Sequence, residues 1–175
     1  MNFNIFGMKS VLLFLVSLVS LSFTFDKLNA QTIKTIENIE CKTVCDNAFL
    51  DKIELRSDAT VFYFRYLFYN DVKDFYITIY PHGSNFSWFL RGAKKVMYKC
   101  TAVKNVRQDG KMINEELTKM LKVTSDGQKG SPITFTCEIH FKPLKSTEKK
   151  IDLIEAIGQK RNKNNFNFLN IRLDK

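Results

Sequence analysis

The residues of this chain best suited to covalent chemistry are its four cysteines, Cys41, Cys45, Cys100 and Cys137. Cys41 and Cys45 form a CxxxC pair, one residue longer than the CxxC of dithiol oxidoreductases, whose shorter spacing suits a helix N-terminus. A redox role for this pair is therefore the weaker reading. Only His82 and His140 are available to join the cysteines around a metal, and neither has ligand spacing to a cysteine pair, so no zinc site or other cofactor is expected. An even cysteine count in an exported chain points instead to disulfides. Three connectivities are possible, and strand parity favours Cys100 with Cys137. Each falls on the apolar side of an alternating segment, Val96-Tyr98-Cys100-Ala102 and Ile133-Phe135-Cys137-Ile139-Phe141, which leaves Cys41 and Cys45 to pair locally. A bridge closing so long a loop is worth roughly 3 to 4 kcal/mol in the chain-entropy account.

Outside the cysteines, catalytic patterns are scarce. Asp152 and Glu155 would share a face in a helical turn, but general acid and base work needs two carboxyls with divergent pKa values in a pocket. Lys149 and Lys150 flank them, so a solvated, salt-bridged turn is expected, with the carboxylates accepting backbone N–H groups to fix the crossing between the last two strands. His140 lies on the polar side of its segment and His82 in a turn. Neither stands near a serine or cysteine at a readable spacing, and no GxSxG, HExxH, phosphate loop or calcium loop occurs.

Two features could bind rather than react. Trp88, beside Phe86 and Phe89 and just after a turn, is a candidate recognition edge; the other reading is a core Trp packed against a disulfide. Lysines and arginines also gather in two groups. Lys94, Lys95, Lys99, Lys104 and Arg107 surround one strand, while Lys142, Lys145, Lys149, Lys150, Lys160, Arg161 and Lys163 occupy the last two loops. Such a positive surface suits an acidic protein, an acidic glycan or a lipid headgroup surface. Nucleic acid is not expected, because the aromatics alternate into a core and do not interleave with exposed cations.

The compartment is set by the first thirty residues. Lys9 is followed by an apolar run from Val11 to Phe25, and Leu28-Asn29-Ala30 offers a small residue for cleavage before Gln31. Met8 provides a second possible start. As a helix the run rises about 22 Å, short of the roughly 30 Å hydrocarbon core, so a cleaved signal and no retained transmembrane span are expected. The product is then secreted or periplasmic. Residues 1–30 carry two lysines and one aspartate, so the formal charge falls from +9 to +8 on cleavage.

Residues 31–175 suit one domain with one core. Segment 31–48 is polar and mixed, with Ile33, Ile36 and Ile39 compatible with a short helix or an irregular edge strand. Beyond it the periodicity becomes two: Leu50 to Leu55, Ala59 to Phe68, Phe75 to Tyr80, Phe86 to Arg91, Lys95 to Val106, Ile133 to Phe141, Ile151 to Ile157 and Phe166 to Leu173. Leu117, Met120 and Leu121 predict one short helix within Glu115 to Val123. Many strands at short spacing without long helices predict an all-β, antiparallel two-sheet sandwich.

The run Phe135 to Leu144, with its strand ending in Phe-x-Pro-Leu, then Asp152-x-x-Glu155 and a closing Ile171-x-Leu173, resembles a pattern in uncharacterised secreted domains of Gram-negative bacteria. Ala59-Thr60-Val61 and Ser87 to Leu90 are similar to its earlier parts. The resemblance implies an immunoglobulin-like sandwich, of a kind sometimes found ahead of thioredoxin-like modules, and implies no particular chemistry. The Lys-rich loops and the cysteines depart from that pattern. Together these features predict a non-enzymatic binding module, with a cell-envelope thiol-redox or hydrolytic enzyme and a purely structural envelope component as the alternatives.

Overall fold

Apolar residues at every second position give a strand one face to bury, and that pattern builds the whole domain. The chain divides between Ala30 and Gln31. A computed structural model describes residues 31–68, 76–124, 132–156 and 165–174, so residues 1–30, where an export signal is expected, and Lys160, Arg161 and Lys163 lie outside the described residues. The strands are β1 (Thr32–Glu37), β2 (Lys42–Thr43), β3 (Ala48–Arg56), β4 (Thr60–Phe68), β5 (Tyr76–Ile79), β6 (Trp88–Gly92), β7 (Met97–Gln108), β8 (Lys111–Glu116), β9 (Leu121–Thr124), β10 (Ile133–Phe141), β11 (Lys150–Glu155) and β12 (Phe168–Arg172). All pairings are antiparallel. The fold is all-β.

The expected pair of separate sheets is joined into one. Its order is β1-β3-β4-β10-β7-β6-β11-β12-β2, with β8 also on β7, and β5 pairs with β9 in a separate ribbon. The join is β7, a twelve-residue strand. One edge of it runs along β10 from Cys100 to Gln108, whereas the other pairs with β6 through Met97 to Lys99 and with β8 through Lys104 to Gln108. Register shifts between Thr136 and Glu138 and between His140 and Phe141, with Asn105 left-handed at φ 50°, mark bulges in this strand pair. Bulges bend a strand and raise its twist, and here they curl the ladder so that its two limbs face each other.

Between the limbs lies an aromatic core. Phe62 and Phe64 from β4 and Phe135 and Phe141 from β10 meet Trp88, Phe166 and Phe168 from the other limb, and all are buried. The Phe64 ring centroid is 5.2 Å from Trp88, 5.1 Å from Phe166, 6.1 Å from Phe168 and 6.5 Å from Phe135. These are edge and tilted geometries of the kind aromatic pairs favour. Trp88 is 1% exposed, so the candidate recognition edge becomes a core residue. Phe86 takes the outer position instead, 44% exposed and 5.1 Å from the Tyr80 ring.

Two further expectations change. The helix within Glu115 to Val123 is absent: Glu116 pairs with Lys104, the Leu117 N–H donates to the Val103 carbonyl at 2.8 Å, and Leu121 to Thr124 pairs with β5. Long-range ladders outcompete the local spacing, and Met120 is left 59% exposed. Segment 31–48 contains β1, an edge strand on β3, and the short β2 on β12.

The core geometry makes a direct prediction. Phe64→Ala should destabilise the domain by about 3 to 5 kcal/mol, read as an earlier denaturant midpoint of Trp88 fluorescence. Ile33→Ala, at a site 72% exposed, should change stability by no more than about 0.5 kcal/mol.

Candidate functional site

Strands β6 and β7 are joined by a turn whose residues are set by their neighbours. The Lys95 N–H donates to the Gly92 carbonyl at 3.0 Å, and the Gly92 N–H donates to Val96 at 2.9 Å. Gly92 leaves room for the Glu148 carboxylate, since a Cβ there would lie 2.6 Å from Glu148 Oε1. That carboxylate accepts the Ala93 N–H and the Tyr98 hydroxyl, each at 3.2 Å. Lys95 is left-handed at φ 59°, a conformation that turns of this form ordinarily give to glycine and that costs a non-glycine residue roughly 1 to 2 kcal/mol.

Strand β11 brings the second part of the site. It pairs with β6 through Ile151 opposite Gly92 and with β12 through Lys150 opposite Arg172. Lys150 and Arg172 are therefore like charges directly opposed, an arrangement that destabilises a sheet and that is eased in part by Asp174, whose Oδ1 lies 3.4 Å from Arg172 Nε. Arg91 is fixed by Asp152, with Nε at 3.0 Å and Nη2 at 2.5 Å from Oδ2, and the other Asp152 oxygen accepts the Asn170 N–H at 2.7 Å. Arg91, Lys95, Lys150, Asp152 and Asn170 line a depression of about 250 Å³. Lys149 is exposed beside it. Among the described residues no carboxylate lies within ion-pair distance of Lys95, Lys149 or Lys150.

A larger concavity, about 440 Å³, lies on the outer face of the other limb and includes Lys52, Tyr63, Asn105 and Glu138. Several charges on that face are matched. Lys52 and Arg56 both hold Glu54, Arg65 holds Asp51, and Glu138 takes His140 Nε2 at 3.1 Å and Asn105 Nδ2 at 2.9 Å. Burial alone would raise the Glu54 pKa, but hydrogen bonds from Lys52, Arg56 and Tyr63 outweigh it and hold the group at about 2. The lysines at the β11 end have no such ion pairs among the described residues. Sequence reading found Lys149, Lys150 and Lys95 but passed over Arg91 and Arg172, whose only signal is their place on the outward side of two alternating strands.

Asp152 and Glu155 do not share a helical face. On a strand, positions three apart point to opposite sides, so Asp152 faces Arg91 and Glu155 turns inward, 8% exposed. Both still accept backbone N–H groups from the last segment, Glu155 from Phe166 at 2.9 Å and Asp152 from Asn170. The Asn167 amide oxygen in turn accepts the Glu155 N–H at 3.0 Å. Burial pushes the Glu155 pKa up to about 7 despite the Phe166 hydrogen bond. Its carboxyl lies near the Cys45 and Cys137 thiols.

The four cysteines carry free thiols in this structure. Cys100 and Cys137 both point inward as parity requires, yet the expected bridge between them does not form. Cys100 lies opposite Phe141, four positions along β10 from Cys137. The two thiols are near enough for the charge of Cys100 to bear on Cys137, but the offset in register leaves them unbridged. Burial pushes the Cys100 thiol up to about 11 and raises Cys137 further. Cys41 and Cys45 flank β2, are half-buried, and are also raised chiefly by burial.

Two outcomes follow. Between pH 4.5 and about 7 the folded domain keeps on Glu155 a proton that the unfolded chain has released, so stability should fall by about 3 kcal/mol as pH rises across that window. Glu155→Gln should flatten this slope in denaturant titrations at pH 5 and pH 8; an unchanged slope would assign the titration to another group. In the reduced domain, maleimide should label Cys41 and Cys45 ahead of Cys100 and Cys137, and the difference should vanish in denaturant. Compared with known proteins, the chain matches no family model, no curated protein and no solved structure.

Proposed function

We propose that this protein is an exported, non-enzymatic binding module, acting in the periplasm or outside the cell, whose contact surface is the basic end formed by β11, β12 and the β6–β7 turn. The observation that carries this reading is the set of cations with no ion-pair partner among the described residues, Lys95, Lys149 and Lys150, with Lys150 set opposite Arg172, whose Nε meets Asp174 Oδ1 at 3.4 Å. A sheet tolerates opposed like charges more readily when a negative partner spends time between them. The partner is an acidic protein, glycan or lipid headgroup surface. Lys160 and Arg161 extend the same positive composition in sequence.

In this reading the domain is kin to secreted immunoglobulin-like sandwiches, with its two layers fused through β7. Cys41 and Cys45 are the pair left to oxidise locally after export. The raised thiol pKa values speak against a thiol-redox enzyme, since attack requires the thiolate. Among the described residues no helix is long and apolar enough to cross a membrane.

The test is charge reversal. Lys149→Glu with Lys150→Glu should abolish retention on heparin resin and on vesicles rich in phosphatidylglycerol, and parent binding should weaken steeply as salt rises. Unchanged retention with the fold intact would remove the basic end as the contact surface.

A further inference from the structure

We propose that the depression between the β6–β7 turn and β11 is a phosphate-binding subsite, in which Lys95, Lys150 and Arg91 take the phosphate oxygens. The proposal rests on the reading of the basic end as the contact surface and names the chemical group that surface holds.

Charge gives the first argument. The lining carries three cations, Arg91, Lys95 and Lys150, against one carboxylate, Asp152. That carboxylate is already engaged by Arg91 and by the Asn170 N–H. The remaining excess of two positive charges matches a phosphate dianion better than a single carboxylate. Arg91 is also pre-oriented: Asp152 grips the Nε and Nη2 side of the guanidinium, and no acceptor among the described residues is bonded to Nη1. A planar donor fixed in this way suits an oxyanion.

Backbone geometry gives the second argument, independent of charge. Lys95 occupies a left-handed position, φ 59°, in a turn whose hydrogen bonds favour glycine there. Asn170, which lines the same depression, is left-handed as well, φ 63°. Two such residues line one depression. A lysine where glycine would relieve strain is best explained by what its side chain does, and Lys95 lines the same depression as Lys150 and Arg91.

The experiment uses residues 31–175, with inorganic phosphate followed by backbone amide NMR and sodium chloride at matched ionic strength as the control. Phosphate should shift the amides around Lys95 and Lys150 saturably, and chloride should not. Lys95→Gly should melt about 2 to 4 °C higher than the parent and yet bind phosphate roughly tenfold more weakly. A protein that is more stable but binds less cannot owe its loss to unfolding. Absence of a saturable phosphate shift, or parent-like phosphate binding by Lys95→Gly, would overturn the proposal.

A second arm identifies the source of the phosphate. If phosphate displaces the parent from phosphatidylglycerol vesicles and Lys95→Gly no longer binds them, the group belongs to a lipid headgroup. If vesicle binding is indifferent to both while the phosphate shift persists, the group comes from a soluble ligand. Either result supports the subsite. Loss of vesicle and heparin retention on reversing Lys149 and Lys150, combined with parent-like phosphate binding by Lys95→Gly, would overturn the subsite alone and leave the broader reading standing.

Discussion

The packing of the Phe64 ring against Trp88, Phe166 and Phe168 is the contact on which the rest of this structure depends. A ladder of backbone hydrogen bonds fixes the order and register of strands but leaves the curvature of the sheet nearly free. The aromatic rows supply what the ladder lacks. Each buried ring contributes about 2 to 3 kcal/mol through removal from water, and each well-angled aromatic pair adds roughly 1 kcal/mol. Only a sheet folded upon itself brings Phe62, Phe64, Phe135 and Phe141 against Trp88, Phe166 and Phe168. The bulges in β7 and β10 bend the pair locally, so that one strand serves both limbs.

That curl also sorts the polar residues. On the outer face of the β3–β4–β10 limb, cations and carboxylates occur in neighbouring strands and satisfy one another, as Arg65 and Asp51 do at 2.8 Å. On the other limb, the closing strands place Lys150 beside Arg172, and the acids nearby are divided: Glu148 accepts the Ala93 N–H, Asp152 serves both Arg91 and the Asn170 N–H, and Asp174 meets Arg172. Glu155 goes further and gives up nearly all of its solvent. Its carboxyl holds the Phe166 N–H inside the aromatic core, so the segment entering β12 is anchored at the cost of a group that resists ionisation. One short strand thus carries two carboxylates with opposite fates, decided by the parity of their positions.

Much of this was legible in the sequence because parity is a local property. The alternation from Thr60 to Phe68 and from Ile133 to Phe141 specifies which side chains turn inward, and those side chains form the core. Register is a different quantity. Nothing near Cys100 or Cys137 states how far one strand slides along the other, so parity could aim both thiols inward while leaving them four positions apart. The same gap explains the misread helix. Leu117, Met120 and Leu121 have helical spacing, but Leu117 bonds Val103 on β7 and Leu121 pairs with Ile79 on β5, partners that a local pattern does not show. Arg91, Lys150 and Arg172 likewise meet only through three-strand pairing, so the basic end was readable as composition and not as geometry.

The rigidity created by the core bears on what the basic end can do. Lysines in a loose loop lose side-chain and backbone freedom when they close on a ligand, and that loss subtracts from affinity. Here the backbone beneath the cations is held before any ligand arrives: Lys150 lies in a ladder between β6 and β12, and Lys95 is held by a turn that Glu148 pins from below. Opposed like charges and a left-handed lysine are unfavourable locally, and a weakly packed protein would relax them by fraying the strand ends. This one resists such relaxation because the strands bearing them continue directly into Leu90, Leu153 and Phe168, which are buried. The aromatic core therefore does more than stabilise the fold. It allows electrostatic strain to persist at the surface in a fixed geometry, where a negatively charged partner can relieve it.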